Sequence, residues 1–123
     1  MAHLDPDLSP AEILVERIEG AVVVRLRGEH DLQTAPQVMR TIEPLLATGE
    51  PVLVDLVETT FLDSSILHAL LTAKRRAEAA GVQLGLAIGS NYAVRSVLEL
   101  TNLLDEFAWA PTPAELLDVL AQR

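Results

Sequence analysis

The chain has 123 residues and no cysteine, which excludes both a disulfide framework and a thiolate metal site. Aromatic residues are scarce: two Phe, one Trp and one Tyr. Tyr92, Phe107 and Trp109 are too few to form a stacking surface for single strands, and they read as core or rim residues. Basic residues are scarce too, 9 against 18 acidic ones, for a net charge of −9. A duplex-binding protein needs a basic face to meet phosphate. The basic residues here are mostly scattered, with Lys74, Arg75 and Arg76 as the one cluster. Direct nucleic-acid binding is therefore not expected. Long apolar runs are missing as well, because charge interrupts them every few residues. Neither a signal peptide nor a membrane span is expected, and the expected location is the cytoplasm, with no membrane partner.

Enzyme signatures are equally thin. There is no G-x-x-x-x-G-K-[ST] loop and no G-x-G-x-x-G fingerprint to cradle a phosphate. His3, His30 and His68 stand at no metal-ligand spacing, and Asp5 and Asp7 read as solvated charges, so neither metal nor cofactor is expected. His30, Asp31 and Ser65 supply the residue types of a hydrolytic triad, but no G-x-S-x-G elbow surrounds the serines. The chain reads as a binding protein, not an enzyme.

What is present is the composition of one globular domain: half of the residues are hydrophobic and 22% are charged. Residues 1–11 hold two prolines and read as a flexible leader, and residues 12–123 as a single domain. EILVERI (12–18) and AVVVRLRG (21–28), joined at Glu19-Gly20, predict a hairpin. Thr34 is placed to cap a helix with Pro36 in its first turn, and Val38, Ile42, Leu45 and Leu46 follow at helical spacing. PVLVDLV (51–57) predicts a buried central strand. Ile66, Leu67, Leu70 and Leu71 give a second helix an apolar face up to Gly81. VQLGLAI (82–88) predicts a strand, AVRSVLEL (93–100) a short helix, and Phe107 to Trp109 a last strand. Thr112-Pro113-Ala114-Glu115 opens a final helix. The expected fold is α/β: a mixed sheet of four to five strands, with about four helices.

One junction carries the chemistry. A buried strand runs through Phe61-Leu62 into Asp63-Ser64-Ser65 and then into an apolar helix. The plain reading is that Asp63 or Ser64 caps that helix. The sharper one is that a phosphate on Ser65 would sit where amide N–H groups and the helix dipole favour an anion. It would add roughly −1.5 to −2 charges to a neutral surface point. Beside Asp63 and Asp31, that charge would repel a partner shaped for the neutral form.

Three segments carry a family resemblance: RLRGEHDLQTAP (25–36), VLVDLVETTFLDSSILHALLTAKRRA (52–77) and NYAVRSVLELTNLLDEF (91–107). They are similar, in order and spacing, to the G-E-L-D…T-A-P, D-S-S-G-L and N-x-x-V-R-x-V-L-E-L-T-G-L motifs of STAS domains. Among these the chain resembles the free-standing anti-sigma factor antagonists of bacteria, over roughly residues 12–122. The resemblance implies a STAS-like sheet covered mainly on one side by helices, and function by partner switching. The unphosphorylated protein would bind a histidine-kinase-like ATPase that acts as anti-sigma factor, releasing a sigma factor and so regulating transcription. Phosphorylation would break that complex, and a PP2C-type phosphatase would reset it. By the motif match the phospho-acceptor is Ser65, with Ser64 a secondary site. Asp31 matches the acid of G-E-x-D, and Asp63 the acid before the serines. The implied contact surface includes His30, Asp31, Thr34, Asp63, Ser64, Ser65, Ile66 and Asn91.

The departures are Ile66 for the glycine after the second serine, His30 for an aliphatic residue, and Asn102 for glycine. Ile66 is expected to add bulk beside Ser65 and to stiffen the turn. His30 would make the surface beside Asp31 pH-sensitive. Asn102 tolerates a left-handed backbone. Ile66 keeps a second function in play: a binding or scaffold module of the same fold that is never phosphorylated, in a stress-signalling or transport-linked complex. The sequence leaves both a monomer and a homodimer open.

Overall fold

The computed structural model describes residues 10–123; most of the leader, with His3, Asp5 and Asp7, lies outside the described residues. The elements are β1 (Glu12–Ile18), β2 (Ala21–His30), α1 (Ala35–Leu46), β3 (Val52–Asp55), β4 (Thr59–Leu62), α2 (Ser64–Ala80), β5 (Leu84–Ala87), α3 (Tyr92–Leu100), β6 (Ala108–Ala110) and α4 (Pro113–Ala121). A short 3-10 turn, Leu104–Glu106, precedes β6. The sheet order is β1-β2-β3-β5-β6, with β4 also paired to β2. β1 runs antiparallel to β2, and the other pairings are parallel.

Side chains of a strand alternate between the two faces of a sheet, and here the faces differ in size of residue. Val22, Val24 and Leu26 of β2, Val52 and Val54 of β3, and Leu84 and Leu86 of β5 form one core with α1, α2 and α3. On the reverse, Ala21, Val23, Leu53, Ala87, Ala108 and Ala110 meet Leu116 and Leu120 of α4. Small residues let the single helix approach closely. A Cβ built on Gly85 would lie 2.8 Å from Leu116 Cδ1 and 3.0 Å from the Ala108 carbonyl, so only glycine fits that strand position without movement. Three helices on one face and one on the other match the expected one-sided cover.

The sheet has one strand more than the sequence suggests, and the reason is local. β2 is ten residues long. Its first half pairs with β3 through Val22 to Arg25, and its second half with β4 through Gly28 to His30. Between β3 and β4 the chain steps out at Leu56 to Glu58 and returns to the same neighbour. Gly28 absorbs the step as a bulge, at φ 85, with its amide donating to the Glu58 carbonyl at 3.0 Å. That left-handed conformation favours glycine. A strand resumed after an irregular step leaves no continuous period-2 signature, so the sequence shows one strand there instead of two.

Candidate functional site

The carboxyl ends of the parallel strands bring three loops together. β2 pairs with β4 as far as His30 opposite Leu62, so the next residues, Asp31 and Asp63, leave the sheet side by side. Asp63 is the N-cap of α2: its Oδ1 accepts from the Ser65 amide at 2.9 Å and the Ile66 amide at 3.3 Å. A capping carboxylate of this kind contributes about 1 kcal/mol. Asp31 closes its own turn, its Oδ1 accepting from the Gln33 amide at 2.9 Å.

Asn91 ties the third loop to the second. As N-cap of α3 its side-chain oxygen accepts from the Val94 amide. Its Nδ2 faces the carbonyls of Leu56 at 3.0 Å, Val57 at 3.3 Å and Thr59 at 2.6 Å. These are the residues of the step between β3 and β4, so one amide holds the bend that delivers Asp63 to α2. Thr59 adds a buried hydroxyl donating to the Leu26 carbonyl at 2.6 Å. The sequence identifies Asn91 as a cap and a contact residue; its clamp across 32 to 35 positions of chain has no local signal.

Several sequence expectations change in the folded chain. His30 is not on an exposed turn: it is fully buried. Its Nε2 lies 3.0 Å from the Arg27 carbonyl and 3.2 Å from the Glu12 carbonyl, and its Nδ1 lies 3.1 Å from Thr34 Oγ1. Two carbonyls accept only, so Nε2 carries a proton, and the ring fastens the end of β2 to the start of β1. Thr34 does not cap α1 through its side chain. Its hydroxyl accepts from the Asp31 amide at 3.1 Å and lies 3.2 Å from the Asp31 carbonyl. Ile66 also departs from expectation. It is 0% exposed and belongs to the main core, so its bulk points away from the surface that carries the serines. In this conformation neither His30 nor Ile66 presents a side chain to a partner. Asn102 adopts the left-handed backbone, at φ 58, as expected.

Ser64 is exposed and Ser65 half-buried. Both line a groove of about 570 Å³ between α1 and α2. One wall is Leu32, Ala35, Pro36, Met39 and Glu43; the other is the two serines with His68, Ala69, Thr72 and Arg76. Glu43 and Arg76 pair across its far end. Leu32 is 70% exposed at the near end, and Phe61 and Tyr92, at 49% and 82%, stand on the neighbouring strand and helix start. The sequence assigns Tyr92 to core or rim, and the structure puts it on the rim. No helix among the described residues is long and apolar enough to cross a membrane.

The STAS domain model matches residues 12–116. An anti-sigma factor antagonist from Mycobacterium paratuberculosis is 28% identical, with a TM-score of 0.81 over 95% of this chain and 97% of that one. The anti-sigma factor antagonist SpoIIAA in its unphosphorylated form is 25% identical, with a TM-score of 0.73 over 91% and 98%. SpoIIAA of Bacillus in its phosphorylated form gives a TM-score of 0.66 at 25% identity, over 89% and 99%. No curated protein matches the chain. The motif order in the sequence, the one-sided helical cover and the serine pair at the start of α2 thus fall together with a family match over most of the chain, which belongs to the STAS domain family.

Proposed function

We propose that the chain is an anti-sigma factor antagonist that works by partner switching. The unphosphorylated form binds an anti-sigma factor of the histidine-kinase-like ATPase type in the cytoplasm. That kinase phosphorylates Ser65, the complex breaks, and a PP2C-type phosphatase restores the binding form. The observation that carries this reading is the setting of Ser65. It lies in the first turn of α2, on the wall of an open groove, with its amide and not its hydroxyl engaged by Asp63. A phosphate there adds roughly −1.5 to −2 charges without disturbing a buried group, and it does so next to Asp63 and Asp31. The neighbouring likeness supports the reading, since SpoIIAA has been captured both unphosphorylated and phosphorylated.

Asp31, Asp63, Ser64 and Ser65 form the centre of the proposed contact surface, with Leu32, Phe61 and Tyr92 as exposed apolar anchors around it. His30, Thr34, Ile66 and Asn91 serve this surface from within by holding its loops. The never-phosphorylated module loses its main support, because Ile66 is packed inward and does not crowd Ser65.

The test is phosphate incorporation, read by intact mass, with ATP and candidate ATPase-type anti-sigma factors. One phosphate on the wild type and on Ser64→Ala, absent from Ser65→Ala, is expected. Stable complex formation without any phosphate would overturn the switch in favour of a constitutive binding module.

A further inference from the structure

The wall of the groove contributed by α2 contains Ser64, Ser65, His68, Thr72 and Arg76. His68 is exposed and follows Ser65 by three positions and Ser64 by four. Residues three and four apart are neighbours on a helix surface, with Cβ atoms about 5–6 Å apart. Helical side chains lean toward the N-terminus, so a residue covers the turn that precedes its own Cα. The turn that His68 covers is the one bearing both serines. Arg76 is the other cation on this wall, but it lies eleven residues beyond Ser65, about 16 Å along the axis. It is also tied to Glu43 of α1.

We infer that His68 is the intramolecular partner of a phosphate on Ser65, a positioning residue that holds the phosphoryl group against α2. This deepens the phosphorylation reading and rests on it. The protonated imidazole donates a hydrogen bond to a phosphoryl oxygen, a charge-assisted contact. No covalent step is involved. The phosphoryl group and the imidazole each favour the charged form of the other, so the contact is strongest when the ring is protonated and the phosphate fully ionised. The other charged groups lining the groove are Glu43 from α1 and Arg76 further along α2, with Asp31 and Asp63 at the loop end; Arg40 of α1 and Arg75 of α2 do not line it. Asp63 is engaged by two amides, Asp31 by the Gln33 amide, and Glu43 by Arg76. His68 is thus the nearest side chain to the serines on the groove wall that can gain a positive charge, and it would make the phosphorylated state, and its removal by a phosphatase, pH-dependent.

The test uses the full chain with phosphoserine encoded at position 65, so that no kinase is needed. The phosphorus resonance is titrated with His68 present and in His68→Gln. The phosphate midpoint is expected about 0.2–0.5 pH unit lower with His68 than without it. By linkage the His68 ring midpoint rises by a similar amount when the serine carries phosphate. Coincident phosphate midpoints in two folded variants, with an unmoved His68 ring, would overturn the inference. The two readings fail separately. Absence of phosphate transfer by any kinase sinks the switch while leaving the encoded phosphoserine titration intact. Normal transfer with coincident midpoints sinks only the role of His68.

Discussion

The two faces of the sheet are built on opposite terms. The face under α1, α2 and α3 is filled with branched aliphatic side chains, and Ile66 reaches into it from the turn that carries the serines. The reverse face is alanine, glycine, Val23 and a few leucines under α4, and beyond Val23 on β2 the apolar cluster ends. There the strands carry charge: Arg25 bonds Asp55 at 2.9 Å and lies 3.6 Å from Glu16, while Arg27 bonds Glu58 at 3.1 Å. The hydrogen bond that Arg25 donates to Asp55 raises the Arg25 pKa against partial burial, which lowers it, and the charges of Asp55, Glu16 and Glu58 raise it further. A group with a raised folded-state pKa contributes stability below its unfolded value and loses it only as pH climbs past the folded one. For a guanidinium that is strongly alkaline, so this pairing holds through the neutral range. The contrast teaches that the serine turn is anchored by core packing, whereas the back of the sheet is held by close approach and ion pairs. Replacing the buried anchor of the functional turn should therefore show up as a core defect, whereas replacing its groove-facing serines should not.

That contrast can be broken most forcefully at Ile66. Ile66→Gly restores the residue that resembling sequences have after the second serine, yet here it empties a fully buried site. A loss of about 3–5 kcal/mol is expected, read from the urea midpoint; a neutral result would show that α2 does not depend on this anchor. On the reverse face, Gly85→Ala drives a Cβ into Leu116 and the Ala108 carbonyl. A cost of about 1–3 kcal/mol is expected, with α4 signals shifted most in an amide spectrum. Asn91→Ala should cost about 1–2 kcal/mol. It should also speed hydrogen exchange at the amides of the β3–β4 step, whereas the β1–β2 hairpin keeps its protection. Smallest of all, Ser65→Ala should leave the denaturation midpoint within about 0.5 kcal/mol of wild type, because its hydroxyl faces the groove. A larger loss would mean that the serine is a structural cap and weaken its reading as a switch.

Much of this was legible before any coordinate. Strand alternation in 21–28, helical spacing in 35–46 and 64–80, and the Thr-Pro-Ala-Glu opening of α4 each reproduce the observed element within a few residues. Thr112 indeed accepts from the Glu115 amide at 3.1 Å. A cap at Asp63 or Ser64 and the surface position of the serines were legible too, because they follow from neighbours in sequence; the structure gives the cap to Asp63. What could not be read were the long-range partners. His30 is polar and follows a charged residue, so it reads as a loop residue; the Glu12 carbonyl of β1 joins the nearby Arg27 carbonyl and Thr34 hydroxyl to give it three polar partners and make burial tolerable. Thr34 looks like a cap because caps are local, but its hydroxyl is taken by Asp31 and His30. Ile66 looks like bulk beside Ser65 because the residues are adjacent, although successive helix positions point about 100° apart.

The sequence by itself determined the element order, the α/β class and the place of Ser65 at a helix start, since periodicity and capping act over three or four residues. The tertiary structure alone decided which side chains meet across the sheet. The split of β2 between two partners, the Asn91 clamp, the burial of His30 and Ile66, and the groove that α1 forms with the serine-bearing wall of α2 depend on contacts between segments far apart in the chain. No local pattern encodes such contacts, because burial and hydrogen-bond partners are set only when the segments pack.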